Sequence, residues 1–270
     1  MSNRGLLSAV IALAREAGSA IRAFAGGVQA EFKADDSPVT AADRAAHDVL
    51  SQGLAEIGAG MPVFSEEAEV AWQTRRHWQR YWLVDPLDGT REFLLGSDEF
   101  TVNVALVDDG RPVLGVILQP VTGLLWAGCT EGAETRAFRE DGEGRRAAIA
   151  CRQLTERTSP IRALVSRHYQ SEESPRVVAA LGGGGGVDIV AMGSALKFCR
   201  IAEGSADVYL RTAPTAEWDT AAGQAIIEAA GGGVFDMHGR ALRYNQDASV
   251  LNPGFFAIAD MSLRSFLGGE

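Results

Sequence analysis

The sequence predicts a mixed α+β and α/β chain in which helices pack on mixed β-sheets. Three observations indicate this class. The first segments are amphipathic with a helical period, the middle of the chain joins β-rich runs by Asp-Gly and Thr-Gly turns, and the part after residue 150 alternates strands with helices. With 270 residues, 46% hydrophobic and 22% charged, the chain is long enough for one large domain or two ordinary ones.

The first half is predicted to contain two helices and several short strands. Apolar residues at spacings of three and four predict a helix over 5–24, and Thr40 is the predicted N-cap of a helix that ends near residue 57. Short apolar runs predict strands at 28–33, 61–65, 81–84, 100–107, 113–119 and 124–127. The last three are expected to form antiparallel hairpins, and the charged segment 140–146 is expected to be an exposed connection.

The second half has a different pattern. Its predicted strands are 163–166, 187–192, 207–211 and 255–259, and its predicted helices are 175–181, 194–203 and 220–230. The glycine run 182–186 is expected to be a surface loop. The change of pattern predicts a boundary near residue 150, with an α+β part over 1–150 and an α/β part over 151–270.

Charge and cysteine content limit the possible partners and location. The 35 acidic and 25 basic residues give a formal net charge of -10, which disfavours nucleic acid or an anionic membrane surface as a partner but leaves a small anionic substrate open. Three cysteines without a C-x-x-C pair favour a reducing compartment. No run of about 18 apolar residues is present, so we expect a cytoplasmic protein without an integral membrane segment.

The most informative motif is D-P-L-D-G-T at residues 85–90. A strand is predicted to end at Asp85, and the proline and glycine allow a tight turn into a helix that begins near Thr90. This arrangement can direct the carboxylates of Asp85 and Asp88 and the carbonyl of Leu87 at one point. Such oxygen ligands suit Mg²⁺, and the amides of the helix start can receive a phosphate oxygen. On spacing alone, a turn with two solvated aspartates remains an alternative.

Two more acids stand at the ends of predicted elements. Glu66 follows the strand 61–65, and Asp219 opens a helix. Each acid taken alone has an alternative interpretation: Glu66 as a surface acid and Asp219 as an ordinary helix cap. Together with Asp85 and Asp88 they supply enough oxygen ligands for two or three divalent ions, which can clamp a phosphate and activate water.

A hydrolase also needs a group that orients water and accepts its proton. Asp43 lies in the first turn of the helix capped by Thr40, from where it can hydrogen-bond the hydroxyl of Thr90. A capping threonine followed by a first-turn aspartate is the alternative interpretation. The two residues are therefore candidates for a water-activating pair.

Three segments together resemble the signatures of the inositol monophosphatase-like family of Mg²⁺-dependent, lithium-sensitive phosphatases. They are Glu66-Glu67, D-P-L-D-G-T at 85–90 and W-D-x-A-A at 218–222. The resemblance extends from about residue 35 to 260. It implies a layered αβαβα fold like that of the sugar phosphatases, in which the part over 1–150 holds most metal ligands and the part over 151–270 completes the active site.

Further segments are similar to the CysQ-type 3'(2'),5'-bisphosphate nucleotidase branch of that family. They are G-T-R-E-F at 89–93, E-F-T-V-N at 99–103, G-S-A-L-K-F-C at 193–199, E-W-D-T-A-A at 217–222 and L-N-P at 251–253. This similarity implies a role in sulfur metabolism, namely removal of the 3'-phosphate of adenosine 3',5'-bisphosphate by metal-activated water. An inositol monophosphatase, a fructose-1,6-bisphosphatase and a non-catalytic metal-binding protein remain alternatives.

The resemblance also implies roles for individual residues. One Mg²⁺ would be bound by Glu66, Asp85 and the Leu87 carbonyl, a second by Asp85, Asp88 and Asp219, and a third, loosely held ion would lie near Glu66. The implied catalytic residues are Asp43, Thr90 and Glu66. The implied substrate-binding residues are Gly89, Thr90, Ser166, His168, Gly193, Ser194, Lys197 and Asp219.

One departure concerns the nucleotide side of the site. The branch often carries a histidine after Ser-Arg-x, where this chain has Tyr169. Either His168 substitutes from one position away, or that contact is changed. Oligomeric state and an association with the inner face of the cell membrane are left open by the sequence.

Overall fold

The computed structural model describes residues 2–24, 30–32, 38–58, 60–154, 160–167 and 186–267. The helices are α1 (Asn3–Arg22), α2 (Ala41–Ile57), α3 (Trp72–Arg75), α4 (Thr90–Leu94), α5 (Leu196–Ala202), α6 (Glu217–Ala229) and α7 (Arg264–Leu267), with a 3₁₀ turn at Met261–Leu263. The strands of the first half are β1 (Glu31–Phe32), β2 (Pro38–Val39), β3 (Val63–Ser65), β4 (Arg80–Asp88), β5 (Thr101–Asp108), β6 (Arg111–Leu118), β7 (Leu125–Glu131), β8 (Glu134–Glu140) and β9 (Arg146–Ala148). The strands of the second half are β10 (Ile161–Ser166), β11 (Val187–Met192), β12 (Val208–Arg211), β13 (Thr215–Ala216), β14 (Gly233–Asp236), β15 (Leu251–Asn252) and β16 (Phe255–Ile258).

A seven-stranded sheet in the order β3-β4-β5-β6-β7-β8-β9 forms the centre of the first half. Only β3 and β4 pair in parallel; the other neighbours are antiparallel. Side chains of β4 alternate between the two faces: Trp82 and Val84 pack with α1 and α2, whereas Tyr81 and Leu83 belong to the core shared with α6. Because both faces are covered, residues 81–84 of this strand form an uninterrupted apolar run.

Helix α6 lies closely against the middle of this sheet. A Cβ atom on Gly115 in β6 would be 2.2 Å from the carbonyl oxygen of Ala222, so only glycine allows this approach. The first turn of α6 carries Asp219, and the close packing therefore fixes where that carboxylate lies.

A five-stranded sheet in the order β11-β10-β12-β16-β14 forms the second half. The pairs of β10 with β11 and β12 are parallel, and the pairs of β16 with β12 and β14 are antiparallel. One face packs on α5 and α6, and the other has its own apolar cluster that includes Phe235 and Phe256. The described residues thus form helix, sheet, helix and sheet layers, and the predicted class of mixed sheets with packed helices is confirmed.

Most predicted elements are present, with defined differences. Both N-terminal helices, the Thr40 cap and the antiparallel hairpins are confirmed. The strand predicted to end near residue 85 runs on to Asp88. The strands β2, β8, β9, β13, β14 and β15 and the short helices α3 and α7 were missed. The exposed connection expected at 140–146 is a hairpin turn whose first residue, Glu140, is buried between Arg15 and Arg146.

Some predictions fall wholly or partly on residues outside the described ranges. The helix expected at 175–181 lies there, as does most of the glycine run 182–186. Of the strand expected at 28–33, only Glu31–Phe32 is described as a strand. The division at residue 150 stays a prediction. None of the described helices combines the length and apolar character needed to cross a membrane.

Candidate active site

The end of β4 is irregular, and this irregularity presents the first two acids. Asp85 pairs with Asn103 of β5 and Asp88 with Thr101, so β4 has one more residue than its partner between these points. Such a bulge bends the strand and redirects its side chains. The amide of Leu87 donates to Asp85 Oδ1 at 3.0 Å. The sequence predicted a turn that presents both aspartates. In the structure a bulged strand end presents them instead.

Glu66 reaches the same place from the neighbouring strand. Because β3 is parallel to β4, its end lies beside the end of β4, and the Glu66 amide donates to the Val84 carbonyl at 3.1 Å. Glu66 lines one cleft with Asp85, Asp88 and Asp219. Four acids from three separate segments of the chain therefore meet in one cleft of about 1030 Å³.

Three of these acids form a compact cluster. Ligand oxygens of Asp85, Asp88 and Asp219 all lie within 4.8 Å of one another. Asn103 donates to Asp88 Oδ2 at 3.3 Å, and the Ala216 amide donates to Asp219 Oδ2 at 3.0 Å. The cluster is therefore held in place by neighbouring amides.

The electrostatics of the cluster are unfavourable without a cation. Burial raises the pKa of Asp85 well above its usual value, and the nearby charges of Glu66, Asp88 and Asp219 raise it further. Burial also raises the pKa of Asp219, again reinforced by Asp88 and Glu66. Burial raises the pKa of Asp88, although Lys197 opposes the shift. Carboxylates gathered in this way fit a divalent ion bound through oxygen, such as Mg²⁺.

Asp43 and Thr90 are joined as the sequence predicts. Thr90 Oγ1 lies 3.1 Å from Asp43 Oδ1 and 3.2 Å from the carbonyl oxygen of Leu87. The other carboxylate oxygen, Oδ2, accepts from the amide and hydroxyl of Thr40 at 2.8 and 2.6 Å. Burial raises the pKa of Asp43, and the bonds from Thr40 counteract this. The aspartate that completes the cap of α2 is thus also the one bonded to Thr90, so the cap is confirmed and the water-activating role stays a prediction.

Gly89 occupies the turn between the acids and Thr90. Its φ is 95°, a conformation that favours glycine, and a Cβ atom there would lie 3.0 Å from the carbonyl oxygen of Glu99. Any other residue would be strained and would displace the facing chain. Gly89 therefore brings the backbone up to the cleft without a side chain in the way.

The lining of the same cleft includes four further predicted substrate residues, Ser166, Gly193, Ser194 and Lys197. Lys197 Nζ donates to the carbonyls of Met192 at 3.2 Å and Ser194 at 2.6 Å, and lies 5.1 Å from the centroid of the Tyr209 ring. Burial lowers the pKa of Lys197 to about 8, although the nearby charge of Asp88 acts to raise it. Lys197 is therefore a buried cation beside the acidic cluster. His168 and Tyr169 lie outside the described residues.

Sequence reasoning missed two arginines that line the cleft. Arg211 is 8% exposed, and its guanidinium donates to the carbonyls of Ala213 and Pro214. Arg75 is buried between the rings of Phe64 and Trp72. Arg211 ends a predicted apolar strand, and a charged residue in that position was the available signal. Arg75 had no comparable signal.

The comparisons agree with this geometry. The family description "Inositol monophosphatase family" matches residues 2–260. The 3'(2'),5'-bisphosphate nucleotidase CysQ of Salmonella typhimurium is 46% identical over 253 residues, covering 93% of this chain and 98% of that protein. The protein of the same name from Escherichia coli K12 is 45% identical with the same coverage.

Solved structures show the same fold. The crystal structure of CysQ from Bacteroides thetaiotaomicron, described as a bacterial member of the inositol monophosphatase family, matches with a TM-score of 0.80 and 38% identity, over 93% of this chain and 96% of that chain. An inositol monophosphatase from Zymomonas mobilis matches with a TM-score of 0.74 and 27% identity, over 98% and 96% of the two chains. With its fold, its acidic cleft and these relatives, the chain belongs to the inositol monophosphatase family.

Proposed function

We propose that the chain is a Mg²⁺-dependent phosphomonoesterase that hydrolyses the 3'-phosphate of adenosine 3',5'-bisphosphate to AMP and phosphate. The observation that carries the reaction type is the meeting of the Asp85, Asp88 and Asp219 oxygens within 4.8 Å in one cleft, with the Thr90–Asp43 pair at the adjoining turn. The nucleotide substrate is supported by the relatives named 3'(2'),5'-bisphosphate nucleotidase at 45–46% identity.

The residues of the cleft suggest which groups hold the ions. Glu66, Asp85 and the Leu87 carbonyl are placed to bind one Mg²⁺, and Asp85, Asp88 and Asp219 a second. A third ion near Glu66 completes the proposed set of two or three. When bound, Mg²⁺ stabilises the departing oxygen and lowers the pKa of water.

Thr90 and Asp43 are proposed to orient and activate the attacking water. With the Leu87 carbonyl used as a ligand, the Thr90 hydroxyl hydrogen points to Asp43 Oδ1, 3.1 Å away, and the Thr90 oxygen is left to accept a hydrogen bond from water. The raised pKa of Asp43 suits a group that takes up a proton. The amides of Gly89 and Thr90 would hold the scissile phosphate. The water would then attack phosphorus in line, and a water nucleophile needs no covalent phosphoenzyme.

The part of the lining formed by Ser166 and residues 193–197 is proposed to bind the nucleotide. Lys197 places a buried positive charge beside the turn formed by Gly193 and Ser194, and Ser166 lies at the adjacent strand end. A contact from His168 is part of the same proposal. We also infer a cytoplasmic location, supported by three free, buried cysteines.

The proposed substrate is tested by ranking three phosphates with the wild-type protein. We expect kcat/KM for adenosine 3',5'-bisphosphate to exceed that for inositol 1-phosphate and fructose 1,6-bisphosphate by at least about tenfold, because the proposed contacts from Lys197 and the Gly193–Ser194 turn are specific to the nucleotide. Phosphate release at saturating Mg²⁺ is the measurement. A higher kcat/KM for the inositol or sugar phosphate contradicts the proposal.

The water-activating pair is tested by Thr90→Val, which keeps the shape of the side chain and removes its hydroxyl. We expect kcat to fall by about 100-fold, the usual scale of general-base assistance, while KM changes little. Thr90→Ser restores the hydroxyl and is expected to recover most of the rate. Thr135→Val on the exposed side of β8 is the matched control, and normal turnover by Thr90→Val would exclude the proposed role.

A further inference from the structure

Glu99 and Arg167 form an ion pair, which we call the clasp, next to Gly193, which lines the cleft. Arg167 Nη2 donates to Glu99 Oε1 at 2.6 Å and Oε2 at 2.8 Å, and Arg167 Nε donates to Oε2 at 3.1 Å. The amide of Gly193 donates to the same Oε2 at 2.7 Å. The carboxylate of Glu99, in the segment after α4, thus binds both Arg167, which follows β10, and Gly193, which follows β11.

The backbone of Glu99 is wedged between the two glycine turns of the cleft. A Cβ atom on Gly89 would lie 3.0 Å from the Glu99 carbonyl oxygen, and a Cβ atom on Gly193 would lie 3.0 Å from the same oxygen. On its other side, a Cβ atom on Gly193 would lie 2.8 Å from Glu92 Oε1. Because the segment contacts both turns so closely, Glu99 sets their separation.

The turn held by Glu99 is strained. Ser194 has a φ of 46°, which a non-glycine residue adopts only when its surroundings impose it. Two groups impose it from opposite sides: Glu99 accepts the Gly193 amide, and Lys197 donates to the carbonyls of Met192 and Ser194. Loss of the Glu99 carboxylate would remove one of these two restraints on the turn.

The clasp contributes little to the stability of the fold. The side chains of Arg167 and Glu99 are 45% and 20% exposed, and partly exposed ion pairs of this kind are weak stabilisers. Their bidentate geometry is nevertheless directional. Removal of the Glu99–Arg167 ion pair is therefore expected to loosen the Gly193–Ser194 turn without unfolding the protein.

We propose that Glu99 and Arg167 are positioning residues that fix the Gly193–Ser194 turn and so set the affinity for the part of the substrate remote from the scissile phosphate. The inference rests on the proposed function in that it takes this part to be the nucleoside and its 5'-phosphate. Neither residue belongs to the acidic cluster. The Glu99 carboxylate bonds the Gly193 amide, whereas the packing against Gly89 comes from the Glu99 backbone, which an alanine variant retains. We therefore expect loss of the carboxylate to act on KM and to leave the chemical step unchanged.

The test compares a nucleotide with a small phosphate ester. In Glu99→Ala we expect KM for adenosine 3',5'-bisphosphate to rise about tenfold, the loss typical of a hydrogen bond to a charged group, with kcat within twofold of wild type. Both constants for p-nitrophenyl phosphate, which does not extend to the turn, are expected to stay unchanged. Glu99→Gln keeps an acceptor for the Gly193 amide and is expected to recover part of the affinity.

The control is Glu134→Ala, which breaks the exposed Arg4–Glu134 ion pair, 50% and 70% exposed and formed by α1 and β8, and is expected to change neither constant. An unchanged KM for the nucleotide in Glu99→Ala overturns the proposal, as does an equal loss on both substrates, which would indicate general damage to the cleft. If the wild type instead prefers the inositol or sugar phosphate, the proposed function fails. The same variants are then compared on that phosphate and on p-nitrophenyl phosphate, so the clasp is judged separately.

Discussion

Asp88→Asn is expected to lower kcat by about three orders of magnitude, because loss of one ligand charge removes several kcal/mol of metal-ion stabilisation in the transition state and each 1.4 kcal/mol is a factor of ten. The carboxylate of Asp88 lies in the cluster with Asp85 and Asp219 and accepts from Asn103 Nδ2 at 3.3 Å. Asparagine keeps the size and an acceptor oxygen. The loss therefore reports on charge and not on packing.

The measurement is kcat for adenosine 3',5'-bisphosphate as a function of Mg²⁺ concentration, together with the melting temperature. Asp108→Asn makes the same substitution in a partly exposed pair with Arg80 and is expected to leave kcat unchanged. A cooperative melting transition in Asp88→Asn shows that the fold is retained. Near-normal turnover by the folded Asp88→Asn protein would mean that the cluster is not the catalytic metal site.

The second large expected effect is that Mg²⁺ reverses the order of stability of the wild type and Asp85→Asn. Burial holds the pKa of Asp85 well above its usual value in the folded protein, and neighbouring acids add to the shift. A raised folded-state pKa favours folding below the unfolded-state pKa of about 4, and this contribution is lost as pH rises through the folded-state pKa. In chelator, the wild type is thus expected to lose stability relative to Asp85→Asn as pH rises from 4 to 8.

At pH 8 without metal, Asp85→Asn is expected to be more stable than the wild type by about 1–3 kcal/mol, since an uncompensated buried charge has been removed. With Mg²⁺ at about 1,000 times its dissociation constant, the wild type gains about 4.1 kcal/mol and the order reverses. Melting temperatures in chelator and in Mg²⁺, at pH 5 and pH 8, measure both effects. A wild type that is the more stable protein in chelator at pH 8 would show that the cluster is not electrostatically strained.

Local signals account for what the sequence could predict. The Thr40 cap, the D-P-L-D-G-T segment and the acid that follows β3 are each specified by a few adjacent residues. The cluster was predicted because Glu66, after a strand, and Asp219, at a helix start, add oxygen ligands to those of Asp85 and Asp88. Even the unpredicted bulge in β4 left Asp85 and Asp88 facing the same cleft.

Interactions between distant residues could not be predicted in this way. Arg75 donates to Asn245 Oδ1 across 170 residues of sequence, and Arg167 reaches Glu99 across 68. Neither arginine belongs to a local pattern that names its partner. Strand β14 was missed for a related reason: it has four residues and begins with a glycine, and its pairing with β16 is fixed only by the assembled sheet.

The central claim, removal of the 3'-phosphate in a Mg²⁺-dependent cleft, is tested most directly by identifying the product of the wild-type reaction. Adenosine 3',5'-bisphosphate is incubated with the protein in Mg²⁺ and, in parallel, in excess chelator, and both reactions are followed by phosphorus NMR. We expect 5'-AMP and inorganic phosphate with Mg²⁺ and unchanged substrate in chelator. Formation of 3'-AMP, or the same rate in chelator, would contradict the account.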